Sequence, residues 1–334
     1  MIIVRFTSGL GNQMFQYNFY RLMQEMYPDV EVKADLKWMY RVDYHHGYEL
    51  ERVFPFMKNR GIAPAEATFM DCFRASGQLS GFGKNHKIAG IWSALTYSVN
   101  EKMRNGKYKE RYEKQVIDNS GGELENKLFE MISNLDASRD YYITSYFPRE
   151  EYYKDRLEKL VEEFEFDEPS DEINKSLLSQ IDSCESVSIH MRRGDYLSKE
   201  YEGKFCILNE DYYSRAVDYM KEEVKKRCGD HQPGERSNGS LKFYIFSDDI
   251  PFARTFFKEL GLTDAVYVDN NGGADSYRDM QLMSRCKHNI IANSTFSQWG
   301  ALLNKNPDHI VIYPGQYLQN EDTQNRTLPG WVRL

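Results

Sequence analysis

Residues 243–260 read FYIFSDDIPFARTFFKEL: a short aromatic and β-branched run, a polar turn, and a proline that opens an amphipathic stretch. The first four residues suit a buried strand. Ser247, Asp248 and Asp249 end the run, and Pro251 stands where a helix tolerates proline best, in its first turn. Strand, polar turn and helix make one unit of an α/β sheet.

The same unit recurs on either side. Strands are expected at 187–191, 266–268, 289–292 and 309–313, with helices at 211–226, 276–285 and 296–304. Tyr213, Ala216, Met220 and Val224 share one face of the first of these helices, at the spacing a 3.6-residue period requires. Such alternation predicts a doubly wound parallel sheet. At the start of the chain, residues 2–6 form a strand pattern and Phe15, Phe19, Leu22, Met23 and Met26 a helical face. Pro28 closes that helix, and a second strand follows at 30–34. Two Rossmann-like domains facing across a cleft are therefore expected. The acidic EFEFDEPS at 163–170 is the linker, giving domains 1–165 and 166–334. Residues 36–120 carry few clear periods.

Bulk properties narrow the function. The chain has 334 residues and a formal charge of −8, which argues against a nucleic-acid partner. Its five cysteines form no CxxC pair, so neither a zinc site nor a disulfide framework is expected. No basic-apolar leader is visible, and no apolar run approaches the roughly 20 residues of a membrane span. A cytoplasmic protein, at most peripheral at a membrane, is expected.

Three polar clusters follow strand ends in the second half, where an open parallel sheet binds its ligands. They are HMRRGDY (190–196), FSDD (246–249) and NSTFSQWG (293–300). Arg192 and Arg193 suit either a phosphate or an Arg–Asp ion pair at the strand end. Asp248 and Asp249 suit either a helix cap or acceptors for a base or ribose. Their adjacent spacing is not the Asp-x-Asp used to hold a divalent ion against a diphosphate, so metal-independent chemistry is expected. Ser294, Thr295 and Ser297 precede a helix whose amino end either is simply capped or attracts phosphate.

The loop GLGNQ at 9–13 shares Gly9 and Gly11 with the dinucleotide fingerprint, and Asp35 stands at a distance suited to its acidic residue. Met14 occupies the place of the third glycine, which counts against a dinucleotide lying there. Asn12 and Gln13 add side-chain amides that such a loop does not need.

Taken together these stretches resemble the α-1,2-fucosyltransferases, family 11 of the inverting glycosyltransferases, in their bacterial soluble form. The resemblance spans nearly the whole chain. It is carried by GLGNQMFQY (9–17), GYELERVF (47–54), SYFPREEYYKD (145–155), VSIHMRRGDY (187–196), EDYYSRAV (210–217), FYIFSDD (243–249) and CKHNIIANSTFSQWGALLN (286–304). It implies a GT-B-like fold, with GDP-fucose held mainly by the C-terminal domain and the acceptor by the N-terminal one. It also implies transfer of fucose, with inversion, to the 2-hydroxyl of a terminal β-galactose of an oligosaccharide or lipid-linked glycan.

Residue by residue, the resemblance places Arg192 on the GDP phosphates with Arg193 beside it. His190, Ser247 and Asp248 or Asp249 fall near the guanosine, and Asn293, Ser294, Thr295, Phe296, Ser297 and Gln298 at the diphosphate. Gly11, Asn12 and Gln13 face the phosphates or sugar. Gln298 departs from the tryptophan many members carry. Arg192 is the expected stabiliser of the leaving group, and Asp195 and Glu200 are the two candidates for general base. No cofactor and no divalent metal are expected. Fucosyl transfer in another linkage, a NAD-dependent oxidoreductase and a non-catalytic sugar-nucleotide-binding module are the competing readings.

Overall fold

A computed structural model describes residues 1–40, 46–77, 109–122, 124–199, 203–228, 241–318 and 325–334. Of the expected site residues, Glu200 lies outside this set. The chain divides into two compact units, Met1–Glu165 and Phe166–Leu334, with the division inside the acidic stretch that precedes Pro169.

The first unit is built on a four-stranded parallel sheet. Its strands are β1 (Ile2–Arg5), β2 (Val32–Asp35), β3 (Val116–Asp118) and β4 (Tyr141–Thr144), in the order β2-β1-β4-β3. Helix α1 (Leu10–Met26) connects β1 to β2 as the periodicity predicts, and Phe15, Phe19 and Met23 are buried on it. The 36–120 region contributes short helices among its described residues, including α2 (Phe69–Ser76). A reciprocal Thr68–Asp71 capping box starts that helix.

The second unit carries a six-stranded parallel sheet in the order β10-β9-β8-β5-β6-β7. The strands are β5 (Glu185–Met191), β6 (Leu241–Ser247), β7 (Val266–Val268), β8 (His288–Ile290), β9 (Val311–Tyr313) and β10 (Val332–Arg333). Between them run α3 (Glu210–Cys228), α4 (Ile250–Glu259), α5 (Tyr277–Arg285) and α6 (Thr295–Leu302). Side chains alternate across the sheet as a two-residue period demands. Val187, Ile189, Phe243 and Ile245 pack with Tyr213, Ala216 and Met220 of α3 on one face. Tyr244 and Phe246 pack with Leu282 and Met283 on the other. The helix Glu172–Asp182, capped by Asp171, adds Leu177, Leu178 and Ile181 to that second face.

Both units are Rossmann-like α/β layers, the architecture the alternation predicts. Among the described residues, no helix is long and apolar enough to cross a membrane.

Candidate active site

In the second unit, strands β5, β6 and β8 end at one edge, and the three polar clusters meet there. Register places Met191 beside Ser247, so the residues after each strand emerge side by side. Arg192 Nη2 lies 2.8 Å from Asp195 Oδ1, and its Nη1 lies 3.1 Å from Asp248 Oδ2. Asp248 Oδ1 also accepts from the Arg193 backbone N–H at 2.9 Å. Gly194 is what lets this carboxylate in: a Cβ there would sit 2.6 Å from Asp248 Oδ2. Arg193 turns away, with Nε 3.5 Å from Asp249 Oδ2 and its guanidinium carbon 3.4 Å from the centre of the Phe252 ring.

The two arginines and three aspartates form one charge cluster. Burial weakens the Arg192 proton's hold, but Asp248 and Asp195 more than reverse this and raise its pKa above the ordinary guanidinium value. Asp249 has a second task. Its Oδ1 accepts the Phe252 N–H at 3.2 Å and caps α4, while Ser247 Oγ accepts the Asp249 N–H at 3.0 Å. The cap reading of FSDD is realised by Asp249, while Asp248 grips the arginines and makes the Arg–Asp ion pair that HMRRGDY allowed.

His190 precedes the arginines on β5 and is 5% exposed. Burial, aided by the Arg192 charge, lowers its pKa to about 3, so it is neutral at physiological pH. Its Nδ1 is buried with no hydrogen-bond partner among the described residues, and its ring centre lies 6.0 Å from that of Phe296 on α6. A buried polar atom left open in this way is what a ligand's donor or acceptor would complete.

The β8 cluster is more structural than its sequence suggests. Asn293 is buried and directs its amide N–H groups to the Cys206 and Tyr317 carbonyls at 2.7 and 2.9 Å, joining the segments that follow β5 and β9. Tyr196 braces the same corner. Its hydroxyl donates to the Asn293 carbonyl at 2.8 Å and its ring stacks on Phe205 with centres 4.1 Å apart. Ser294 Oγ accepts the Phe296 N–H at 3.3 Å as the cap of α6, and buried Ser297 donates to the Ser294 carbonyl at 3.3 Å. Gln298 is also buried. It donates to the Arg326 carbonyl at 2.5 Å and accepts from the Tyr317 hydroxyl at 3.2 Å. Thr295 and Phe296 keep partly exposed side chains at this helix start.

In the first unit, Gln13 does not present its amide to a ligand. It is 0% exposed, donating to the Ser8 and Gly47 carbonyls at 2.9 Å each and accepting the Glu49 N–H at 2.9 Å. These bonds fold GLGNQ onto GYELERVF. Glu49 itself is buried 2.6 Å from Arg52, and burial raises its pKa despite that cation. Gly11 is buried, whereas Asn12 is partly exposed in the first turn of α1. Asp35 is internal too: it accepts the Tyr142 hydroxyl at 2.7 Å and the Lys37 N–H at 3.0 Å, which leaves no ribose-binding carboxylate there. SYFPREEYYKD serves the same core, with Phe147 stacked 3.6 Å from Phe19 and Arg156 bonded to Asn18.

Sequence reasoning missed Tyr317 and Arg326, because the stretch after β9 has neither a period nor a motif to flag it. It also missed the bracing role of Tyr196. Among the described residues, no group of three or more His, Cys, Asp or Glu side chains is arranged to hold a metal ion.

Arginines, a helix amino end and an open buried imidazole thus gather at the carboxyl edge of a doubly wound sheet, the place where such α/β folds bind their ligands. The family follows from comparison. The profile of Glycosyl transferase family 11 matches residues 98–334, more than half of the chain, and the chain belongs to that family. It is 27% identical to the O-antigen biosynthesis glycosyltransferase WbnK of Escherichia coli, over 98% of each chain. It is 26% identical to an alpha-1,2-colitosyltransferase of the same species, over 100% of this chain and 99% of that one. Over 44% of its length it is 22% identical to galactoside alpha-(1,2)-fucosyltransferase 1 of Ateles belzebuth, covering 38% of that protein.

Proposed function

We propose that this glycosyltransferase moves L-fucose from GDP-fucose, with inversion, to the 2-hydroxyl of a terminal β-galactose in an oligosaccharide or lipid-linked glycan of the O-antigen kind. The observation that carries the reading is Arg192, fixed between Asp195 and Asp248 at the ligand edge of the second unit. A guanidinium has five N–H donors, so these two contacts leave others for phosphate oxygens. The names of the relatives support the linkage and the 6-deoxysugar character of the donor.

In the proposed step the acceptor oxygen bonds to the anomeric carbon as the bond from that carbon to the diphosphate oxygen breaks. The acceptor proton passes to a general base, and GDP leaves with the electron pair. Arg192 and the amino end of α6 meet the charge that develops on the diphosphate. Neutral His190 completes its open Nδ1 with a polar atom of the guanosine. Protein cations and a helix end supply the leaving-group stabilisation, so no divalent ion is needed, and turnover is expected to persist in a chelator. Asp195 is already engaged as the partner that orients Arg192. Comparing Asp195→Asn with Glu200→Gln at saturating donor identifies the base, whose loss lowers kcat more than donor affinity.

Calorimetric titration with GDP, GDP-fucose and NAD tests the site. Tight NAD binding with no response to GDP overturns the reading, and GDP-fucose binding without turnover on any β-galactoside reduces it to a binding module. GDP-colitose, the 3-deoxy counterpart of the donor, is the control suggested by the relative that carries that sugar's name.

A further inference from the structure

The two contacts that fix Arg192 leave one motion open. Asp195 Oδ1 lies 2.8 Å from Nη2 and Asp248 Oδ2 lies 3.1 Å from Nη1, one carboxylate at each tip of the fork. Two such points define a line, and the guanidinium plane can still swing about it. A donor aimed at a phosphate is useful only when that swing is stopped as well, because hydrogen bonds weaken steeply as they bend.

Tyr196 stands where it can stop it. The Arg192 guanidinium carbon lies over the Tyr196 ring, 5.6 Å from its centre, within the range at which a ring face attracts a cation. The ring itself is held from several sides. It belongs to the short 3-10 turn Asp195–Leu197, in which the Leu197 N–H donates back to the Arg193 carbonyl at 3.1 Å. Phe205 stacks on it with centres 4.1 Å apart and planes 2° from parallel, and Phe205 is in turn joined to Leu318 by an antiparallel bridge. The hydroxyl donates to the Asn293 carbonyl at 2.8 Å, next to Ser294, the cap of α6. Burial raises the pKa of that hydroxyl, so it keeps its proton and this bond at neutral pH. The ring is thus a fixed wall, and one turn supplies Arg192 with both a counter-ion, Asp195, and a surface to face.

We propose that Tyr196 is a positioning residue for the transfer: its ring sets the plane of the Arg192 guanidinium, so that the donors left over by Asp195 and Asp248 point at the diphosphate. The inference rests on the reading of Arg192 as the group that meets the diphosphate. It is distinct from the bracing of the corner, which the hydroxyl performs through Asn293, whereas the positioning is performed by the ring.

The test uses full-length wild-type, Tyr196→Phe and Tyr196→Leu chains, each also in an Arg192→Ala background. Calorimetry measures binding of GDP and of guanosine, and thermal unfolding checks the fold. Tyr196→Phe keeps the ring and loses the hydroxyl, so its GDP affinity is expected within about twofold of wild type. Tyr196→Leu loses the ring, and GDP is expected to bind about three- to tenfold more weakly, with guanosine changed less than about twofold. With Arg192 already alanine, Tyr196→Leu is expected to add less than about twofold, because the two residues act as a unit. Wild-type GDP affinity in Tyr196→Leu overturns the inference, as does an equal weakening of GDP and guanosine. So does an equal loss in the phenylalanine variant, which would make the hydroxyl the group that matters, or a full loss in the Arg192→Ala background. A wild-type chain that binds no GDP, or an Arg192→Ala chain that binds it normally, contradicts the reading of the site itself. If the leucine variant does not fold, Tyr196→Gln, also ringless, is read in its place. If neither folds, Tyr196→Phe decides, and a loss of GDP affinity beyond about twofold overturns the inference.

Discussion

Asp248 and Arg192 meet across adjacent strands: Oδ2 of the aspartate lies 3.1 Å from Nη1 of the arginine, one following β6 and the other following β5. The pair fixes the guanidinium before any substrate arrives. Preorganisation of this kind is what makes a charge useful to a transition state, because nothing needs to reorient as the bond breaks.

Arg192→Ala is therefore expected to lose about 10²- to 10³-fold in kcat while the fold persists, measured as GDP released per enzyme with circular dichroism as the control. Arg192→Lys keeps the charge but cannot bridge Asp195 and Asp248 together, so it should recover only a small part. A folded Arg192→Ala chain with wild-type turnover contradicts the assignment.

Gly194→Ala tests the approach that the missing Cβ permits. The added methyl would press on Asp248 Oδ2 at 2.6 Å and push the carboxylate off Arg192 and the Arg193 N–H. A loss of about 1–3 kcal/mol in urea unfolding is expected, together with weaker GDP binding. Wild-type GDP affinity in this variant would show that the Asp248 contact does not prepare the site.

His190 predicts an acid-sensitive fold. Its folded pKa, about 3, lies below its ordinary value of 6.5, so the folded state favours the neutral ring. The stability this confers is fully present above pH 6.5 and is lost as pH falls from there toward 3. The limiting slope is about 1.4 kcal/mol per pH unit for one such group. Buried His288, whose pKa is also lowered by burial, adds in the same direction. Urea unfolding of His190→Gln between pH 7 and pH 4 should show a shallower decline than wild type. Parallel curves contradict this.

Gln13→Ala separates a structural amide from a ligand-facing one. The buried Glu49 N–H and the partly buried Ser8 and Gly47 carbonyls lose their partner. A buried group left unsatisfied costs on the order of 1–3 kcal/mol and a partly exposed one less, so a fall in the unfolding midpoint is expected. Lost activity with an unchanged midpoint would return Gln13 to the ligand.

Much of the second unit was legible because its signals are local. Strand runs, polar turns and helical periods alternate from residue 187 onward, and every expected strand there is found within about two residues at its ends. The convergence of HMRRGD, FSDD and NSTFS followed from one rule, that parallel strands end together. Which side chains face outward did not follow. An amide such as Gln13 or Asn293 carries the same letter whether it bonds a ligand or a backbone carbonyl, and only the loop folded against it decides. Asp35 shows the same limit, since its partner Tyr142 lies 107 residues away. The short strands β3, β4 and β10 and the helix Glu172–Asp182 escaped for another reason. Strands of two to four residues show little period of their own and are legible only where a regular alternation with helices marks them, as from β5 to β9, and the helix, though its Asp171 cap precedes Leu177, Leu178 and Ile181, follows directly on the linker.

The most direct test of the account is NMR of the product formed from GDP-fucose and a β-galactoside such as lactose. An α-linked fucose on the galactose 2-hydroxyl, one GDP released per product, and the same yield with a chelator present are expected. Fucose on another hydroxyl, a β-linkage, or no transfer to any β-galactoside from a chain that turns over a different donor would contradict it.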